Sequence, residues 1–241
     1  MLLKDKMLLK DICKFIETKI PLKYALASDK IGFADEYDLN LEINSVKVLM
    51  DLFKEDDDKF DEKTLIITHH PPIFRPKTPT YTIHSNWDII KGGANEALAD
   101  SLNLEVTDVF HAQTGIGRLC EFNGIYEDLE ETIKENFPQE NTRIVNKPKL
   151  NDKIEKVAIV SGFGLKNPDY IKLAKDKKVD IFISGDLTQE TAVLAKNNNL
   201  TLIDLGHHNS EIPGLYKLGE IISSCGVNVE VINKGEPWNK L

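Results

Sequence analysis

Thr64-Leu-Ile-Ile-Thr-His-His-Pro-Pro-Ile-Phe74 is a β-branched apolar run that stops at two histidines and two prolines. Such a run predicts a buried strand of the kind found in parallel sheets. Pro71 and Pro72 cannot donate to a ladder, so the strand is expected to end at His69-His70. That puts two imidazoles at the carboxyl edge of a sheet, where open α/β folds bind their ligands. Ideal alternation points neighbouring side chains to opposite faces, so His69 and His70 are expected to serve two adjacent ions rather than grip one. Loop histidines hydrogen-bonded to backbone are the competing reading of the stretch.

Two further segments favour a shared site. Tyr81-Thr-Ile-His84-Ser-Asn-Trp-Asp88 is a short strand followed by His-x-x-x-Asp, and Leu200 to Glu211 is a strand followed by His207-His-Asn-Ser-Glu211. A separation of four at a helix start sets imidazole and carboxylate on one face. The three clusters hold five of the six histidines, leaving only His111 outside.

Working outward, the chain reads as a duplication within one unit of residues 1–241, with repeats at about 45–104 and 154–225 and a middle segment at about 105–150. In the first repeat Val46 to Asp51 predicts a strand, then comes the acidic Glu55-Asp-Asp-Asp58, then the strand ending at His69-His70. In the second, Val157 to Ser161 predicts a strand, Gly162-Phe-Gly164 a turn, Pro168 to Lys177 a helix and Asp180 to Asp186 a strand. Both repeats close with a strand (Thr82 to His84; Thr201 to Leu205), the His-x-x-x-acid element and a helix (Gly93 to Leu102; Leu215 to Ser223). Strands alternating with helices give an α/β fold with mixed, largely parallel sheets. Gln189 to Lys196 predicts a helix between the last two strands of the second repeat. The equivalent link, residues 71–80, carries four prolines and is expected to be extended or looped. The middle segment predicts a turn at Gly115 to Gly117, a strand at Cys120 to Ile125 and a helix with a solvated acidic face at Glu127 to Asn136. Asn146 to Asp152 is the best boundary within the chain.

Composition narrows the class. With 241 residues, 41% of them apolar, the chain can bury a substantial core. A formal charge of −9 argues against general coating of nucleic acid, although a local basic patch stays compatible with it. Cys13, Cys120 and Cys225 are scattered and odd in number, which fits reduced packing residues rather than a disulfide framework or thiolate site. Charges interrupt the leucines of Met1 to Lys10, so this stretch is read as neither leader nor membrane span, and the protein as soluble and cytoplasmic.

Histidine and carboxylate without thiolate describe a site for Zn, Mn, Fe, Co or Ni as divalent ions. Five plausible ligands exceed the three that an open catalytic zinc site uses, and two ions sharing the carboxylate of Glu211 or Asp88 accommodate the surplus. An ion pair that lowers the pKa of water implies hydrolysis, and no nucleophilic serine or cysteine motif competes. Bracing of the fold by metal is the plainer alternative. His208 is a supporting donor or a surface histidine. Asp186 and Glu190 orient ligands, or Asp186 caps the following helix with Thr188. Ser85 and Asn86 face a substrate or serve the turn. Gly162-x-Gly164 fits a tight turn better than a phosphate cradle, since the third glycine is missing.

Taken together, His69-His-Pro-Pro-Ile-Phe74, His84-Ser-Asn-Trp-Asp88 with Gly92-Gly-Ala-Asn95, Ile183-Ser-Gly-Asp-Leu187 and Gly206-His-His-Asn-Ser-Glu211 resemble the Nif-three-like family, whose members are often called GTP cyclohydrolase 1 type 2 homologues. The likeness runs in order from about Lys30-Ile-Gly-Phe33 to Ile222. It implies an intertwined α/β duplication with a dinuclear metal cleft between the repeats. The family's ligands fall on His69, His70, Asp88, His207 and Glu211, with His84 nearby rather than among them. Two divalent ions per subunit, a toroidal homohexamer and a small nucleotide-like substrate are what the resemblance implies. A metal-stabilised ring binding nucleic acid or a protein partner, through lysines such as Lys147, Lys149, Lys153 and Lys156, is the rival expectation. The connection between His70 and His84 is shorter than usual for the family, Gln189-Glu190 stand where relatives often carry histidine, and Trp87 replaces a smaller apolar residue.

Overall fold

The quoted run is the strand Thr64–Thr68, and all five of its residues are buried. The computed structural model describes residues 7–239, in two units: one up to Ile90 together with the chain from Leu215 onward, the other Lys91–Gly214. The expectation for Met1 to Lys10 falls partly on residues 1–6, outside the described residues. From there Met7–Leu8 pairs antiparallel with Glu42–Ile43, and Leu9 opens a helix. Among the described residues no helix is long and apolar enough to cross a membrane.

The first unit is built on a five-stranded sheet, in the spatial order Asn228–Ile232, Ser45–Leu49, Thr64–Thr68, Thr80–Thr82, Gly32–Phe33. The first four strands run parallel and only the last is antiparallel. Thr64–Thr68 is the middle strand, with Leu65, Ile66 and Ile67 wholly buried, which is why its sequence is apolar without alternation. Helix Leu9–Lys19 buries Leu9, Ile12, Cys13 and Ile16, one stripe at helical spacing. The proline-rich link after His70 is a loop with bends at residues 73–74 and 77–78, and it carries no helix, in keeping with its prolines. Asp57, at the end of the short helix Lys54–Asp57, pins it by accepting the backbone N–H groups of Lys77 (2.7 Å) and Thr78 (3.0 Å).

The second unit carries a six-stranded sheet, ordered Glu105–His111, Ile116–Ile125, Lys153–Ile159, Ile181–Ser184, Thr201–Asp204, Arg143–Val145. Here only the three strands from Lys153 to Asp204 are mutually parallel. The remaining pairings are antiparallel, so the largely parallel expectation holds for the first sheet and not for this one. The middle segment is the reason. It enters the sheet as a hairpin whose turn ends at Gly115, with Gly117 already in the returning strand and both at positive φ, and it returns to the far edge as Arg143–Val145. Helices Ala94–Ser101 and Tyr126–Asn136 send Leu98, Leu129 and Ile133 into one core with Val157, Ile181 and Ile203.

The two sheets share one motif. In each, three parallel strands follow one another in sequence and in space, and the third leads through a turn into the His-x-x-x-acid element at the start of a helix.

Candidate metal centre

In the first unit, His69 and His70 stand just past the strand, which ends at Thr68 rather than at the histidines. Their backbone N–H groups still donate to the carbonyls of Leu49 and Met50, both at 3.0 Å, so the neighbouring chain fixes the corner. Because strand geometry has already lapsed ahead of the prolines, strict alternation no longer applies. The rings of His69 and His70 have centroids 5.0 Å apart, tilted by 48°. His84, which precedes helix Ser85–Ile89, brings a third ring, 5.0 Å from His69 and 5.5 Å from His70. One ligand atom from each of the three imidazoles falls within 4.8 Å of the other two. His84, a neighbour of the ligands by resemblance, therefore stands inside this trio.

Each ring is held through Nδ1. His69 donates to the Ile83 carbonyl at 3.1 Å, His70 to Asp51 Oδ1 at 2.9 Å and His84 to Asp29 Oδ1 at 2.7 Å. Carbonyl and carboxylate oxygens only accept, so Nδ1 carries the proton and a neutral ring presents its Nε2 lone pair. Asp88 is buried on the same short helix, its Oδ1 3.7 Å from His69 Nε2. Two ligands about 2.1 Å from a tetrahedral ion lie about 3.4 Å apart, so this spacing suits a shared cation better than a direct bond. Burial and the nearby His69 and His70 lower the His84 pKa against the pull of Asp29, which keeps that ring neutral. Burial raises the Asp29 carboxyl, but hydrogen bonds from Ser85 and His84 outweigh it and hold it below its usual value.

In the second unit, strand Thr201–Asp204 turns at Gly206 (φ +86°) into helix His207–Ser223, with His207 as its first residue. His207 Nδ1 donates to Asp186 Oδ2 at 3.1 Å, and Nε2 lies 3.2 Å from Glu211 Oε1 one turn along. Burial would lower the His207 pKa, but hydrogen bonds to Asp186 and Glu211, and their charges, hold it up at about 10. Two carboxylates around one imidazole call for a positive charge, which a proton or a divalent ion satisfies. His208 is buried next to His207.

The alternatives left open by the sequence now divide. Thr188 caps helix Gln189–Asn197 through its own hydroxyl, so Asp186 serves His207 and not the cap. Glu190 is exposed on that helix. Ser85 Oγ accepts from the Leu26 N–H, and Asn86 accepts the His84 N–H and donates to the Ile20 carbonyl, so both serve the turn. The Gly162 and Gly164 N–H groups donate to Ser210 Oγ and Ser184 Oγ, which makes this loop a tight turn rather than a phosphate cradle. Asp29 and Asp51, which hold the His84 and His70 rings, are the residues of this cluster that sequence reasoning passed over. For Asp51 the register supplies the reason: Leu49 pairs with Thr68, so two residues further on Asp51 comes level with His70.

The donor set fits a borderline or hard divalent ion. It offers imidazoles with fixed tautomers and buried carboxylates, while burial pushes the Cys13 and Cys120 thiols up to about 12, far from thiolate.

Comparison with known proteins agrees with these features. The family model Duf34/NIF3 (NGG1p interacting factor 3) matches residues 77–237. A GTP cyclohydrolase 1 type 2 homolog of Methanothermobacter thermautotrophicus is 39% identical over 229 residues, 95% of this chain and 94% of its own. A protein of the same name from Methanocaldococcus jannaschii is 30% identical over 244 residues, covering 93% of this chain and 98% of its own. Among solved structures, reduced HcgD from Methanocaldococcus jannaschii is similar at a TM-score of 0.83 and 29% identity, over 94% of this chain and 98% of that one.

Proposed function

The chain belongs to the Duf34/NIF3 family, and from that footing we propose that it is a dinuclear metal-dependent hydrolase of a small, nucleotide-like molecule. The observation that carries the reading is the uniform anchoring of His69, His70, His84 and His207 through Nδ1 to oxygen acceptors. That arrangement is what imidazole ligands of a metal need. His69, His70, Asp88, His207 and Glu211 would hold two divalent ions of zinc, iron, manganese, cobalt or nickel. Bound there, the ions supply Lewis acidity, lowering the pKa of water and drawing electron density from the bond to be cleaved.

The chain's own residues do the rest. The Ile83 carbonyl, Asp51 and Asp186 fix the orientation of three rings. His84, kept neutral by burial and by its imidazole neighbours, takes a proton at Nε2, and Asp29 at Nδ1 steadies the cation formed. His208 supports His207 from the next position of the helix.

The name shared by the relatives supports a nucleotide-like substrate. A small molecule is also favoured over nucleic acid by the state of three of the four lysines that could have formed a basic lining, Lys149 being the exception. Lys147 is paired with Glu130, Lys153 with Glu155, and Lys156 donates to the Lys177 carbonyl. The same reading takes the protein to be a cytoplasmic ring of six copies.

Elemental analysis together with a turnover screen tests the proposal. Two ions per chain are expected, with hydrolysis of nucleotides, phosphoesters or cyclic amidines that chelation abolishes and added metal restores. Metal-loaded protein that binds such a molecule avidly and never turns it over would end the catalytic reading.

A further inference from the structure

A recess of about 410 Å³ opens in the first unit, lined by residues 29–34 with Pro71, Pro72 and Thr82. Its size is that of a small-molecule site. It adjoins the histidine trio through two of its own residues. Asp29 holds His84 Nδ1, and Pro71 directly follows His70.

The lining has three chemical characters. Phe33, on the edge strand Gly32–Phe33, keeps 36% of its surface exposed while Tyr81 braces it edge-to-face at 5.0 Å and 90°. A braced aromatic ring beside two proline rings forms a platform for a flat ligand. Lys30 is an exposed cation that makes no hydrogen bond or ion pair among the described residues. The carboxylates beside it are committed elsewhere: Asp29 accepts from His84 and from the Ser85 N–H, and Asp35 is paired with Arg75. Gly32 (φ +87°) has no heavy atom within 4 Å of where a Cβ would stand, so a ligand can approach the backbone there. The recess thus offers a flat apolar surface and one uncommitted positive charge.

We infer that this recess is a mononucleotide site, with the planar base against Phe33 and the Pro71–Pro72 pair and the phosphate on Lys30. The inference rests on the hydrolase reading above and gives it a substrate pocket. Calorimetric titration of the full chain with GMP and AMP tests it, in metal-loaded and in chelator-stripped protein, with guanosine and inorganic phosphate as partial ligands. A nucleotide should bind, and each partial ligand should bind about tenfold more weakly or worse. Lys30→Ala should weaken the nucleotide about tenfold while leaving guanosine unchanged, and Lys30→Arg should restore it. Phe33→Ala and Phe33→Leu should weaken nucleotide and nucleoside alike, with metal content unaltered in every variant. The inference fails if neither nucleotide binds in either state, or if these variants bind as the parent does. Protein that holds two ions and no nucleotide discards the recess alone. Protein that binds nucleotide and takes up no metal discards the metal centre and keeps the recess.

Discussion

A Cβ placed on Gly162 would stand 2.1 Å from Oε1 of Glu211, and 3.4 Å from the His207 ring. Gly162 also has φ +80°, a conformation that L side chains rarely adopt. The glycine therefore keeps open the volume that Glu211 occupies. Gly162→Ala should displace the Glu211 carboxylate, lower metal stoichiometry and cost about 1–2 kcal/mol of stability. Elemental analysis read beside chemical denaturation checks both effects. Full metal content in this variant would show that Glu211 has room to move.

The hydrogen bonds to Asp29 and Asp51 support a second prediction. Asp51→Asn and Asp29→Asn keep the shape and remove the charge that orients His70 and His84. Metal affinity should fall about 10- to 100-fold for Asp51→Asn, and less for Asp29→Asn because His84 works beside the ligands. Competition against a chromophoric chelator measures the difference, and unchanged affinity in Asp51→Asn would deny that residue its role.

Within helix His207–Ser223 the expectations are graded. His207→Ala and Glu211→Ala should each lose bound metal, whereas His208→Ala should retain most of it. Equal metal content in all three proteins would mean that the ligands of this segment are misassigned.

Acid stability gives a test away from the metal. Hydrogen bonds from Lys134 and Lys147 hold the Glu130 carboxyl down at about 2, from a usual value of 4.5. A depressed carboxyl stabilises the fold above its unfolded pKa, and the benefit disappears as pH falls through the folded value. Glu130→Gln should therefore cost about 1 kcal/mol at pH 7, and the gap to the parent protein should close between pH 4.5 and pH 2. Denaturant midpoints across that interval measure it. A gap that persists at pH 2 would assign the effect to packing of the side chain.

The sequence was most legible where one force acted alone. The Thr64–Thr68 strand is apolar because both its faces are covered, and His207 with Glu211 fall one helical turn apart, as their spacing predicts. Legibility failed where distant parts of the chain decide the outcome. The shared side taken by the His69 and His70 rings depends on where the strand yields to the prolines, a matter of one residue. Asp29 reaches His84 across 55 positions, a pairing that only the fold creates. Strand Glu105–His111 escapes a sequence reading because only Phe110 in it is buried and it bulges between Val106 and Asp108, which breaks its alternation. Asn228–Ile232 is short and half-exposed, and its partner lies at Ser45–Leu49.

That last pairing sets an order on the birth of the molecule. Lys91–Gly214 is one uninterrupted stretch and carries every strand of its own sheet, so it can close while synthesis continues. Ser45–Leu49 emerges from the ribosome early, yet must wait with one edge bare until Asn228–Ile232 is made. Of the two sheets, the one begun earlier is thus the later to be finished, and it is the one that carries His69 and His70.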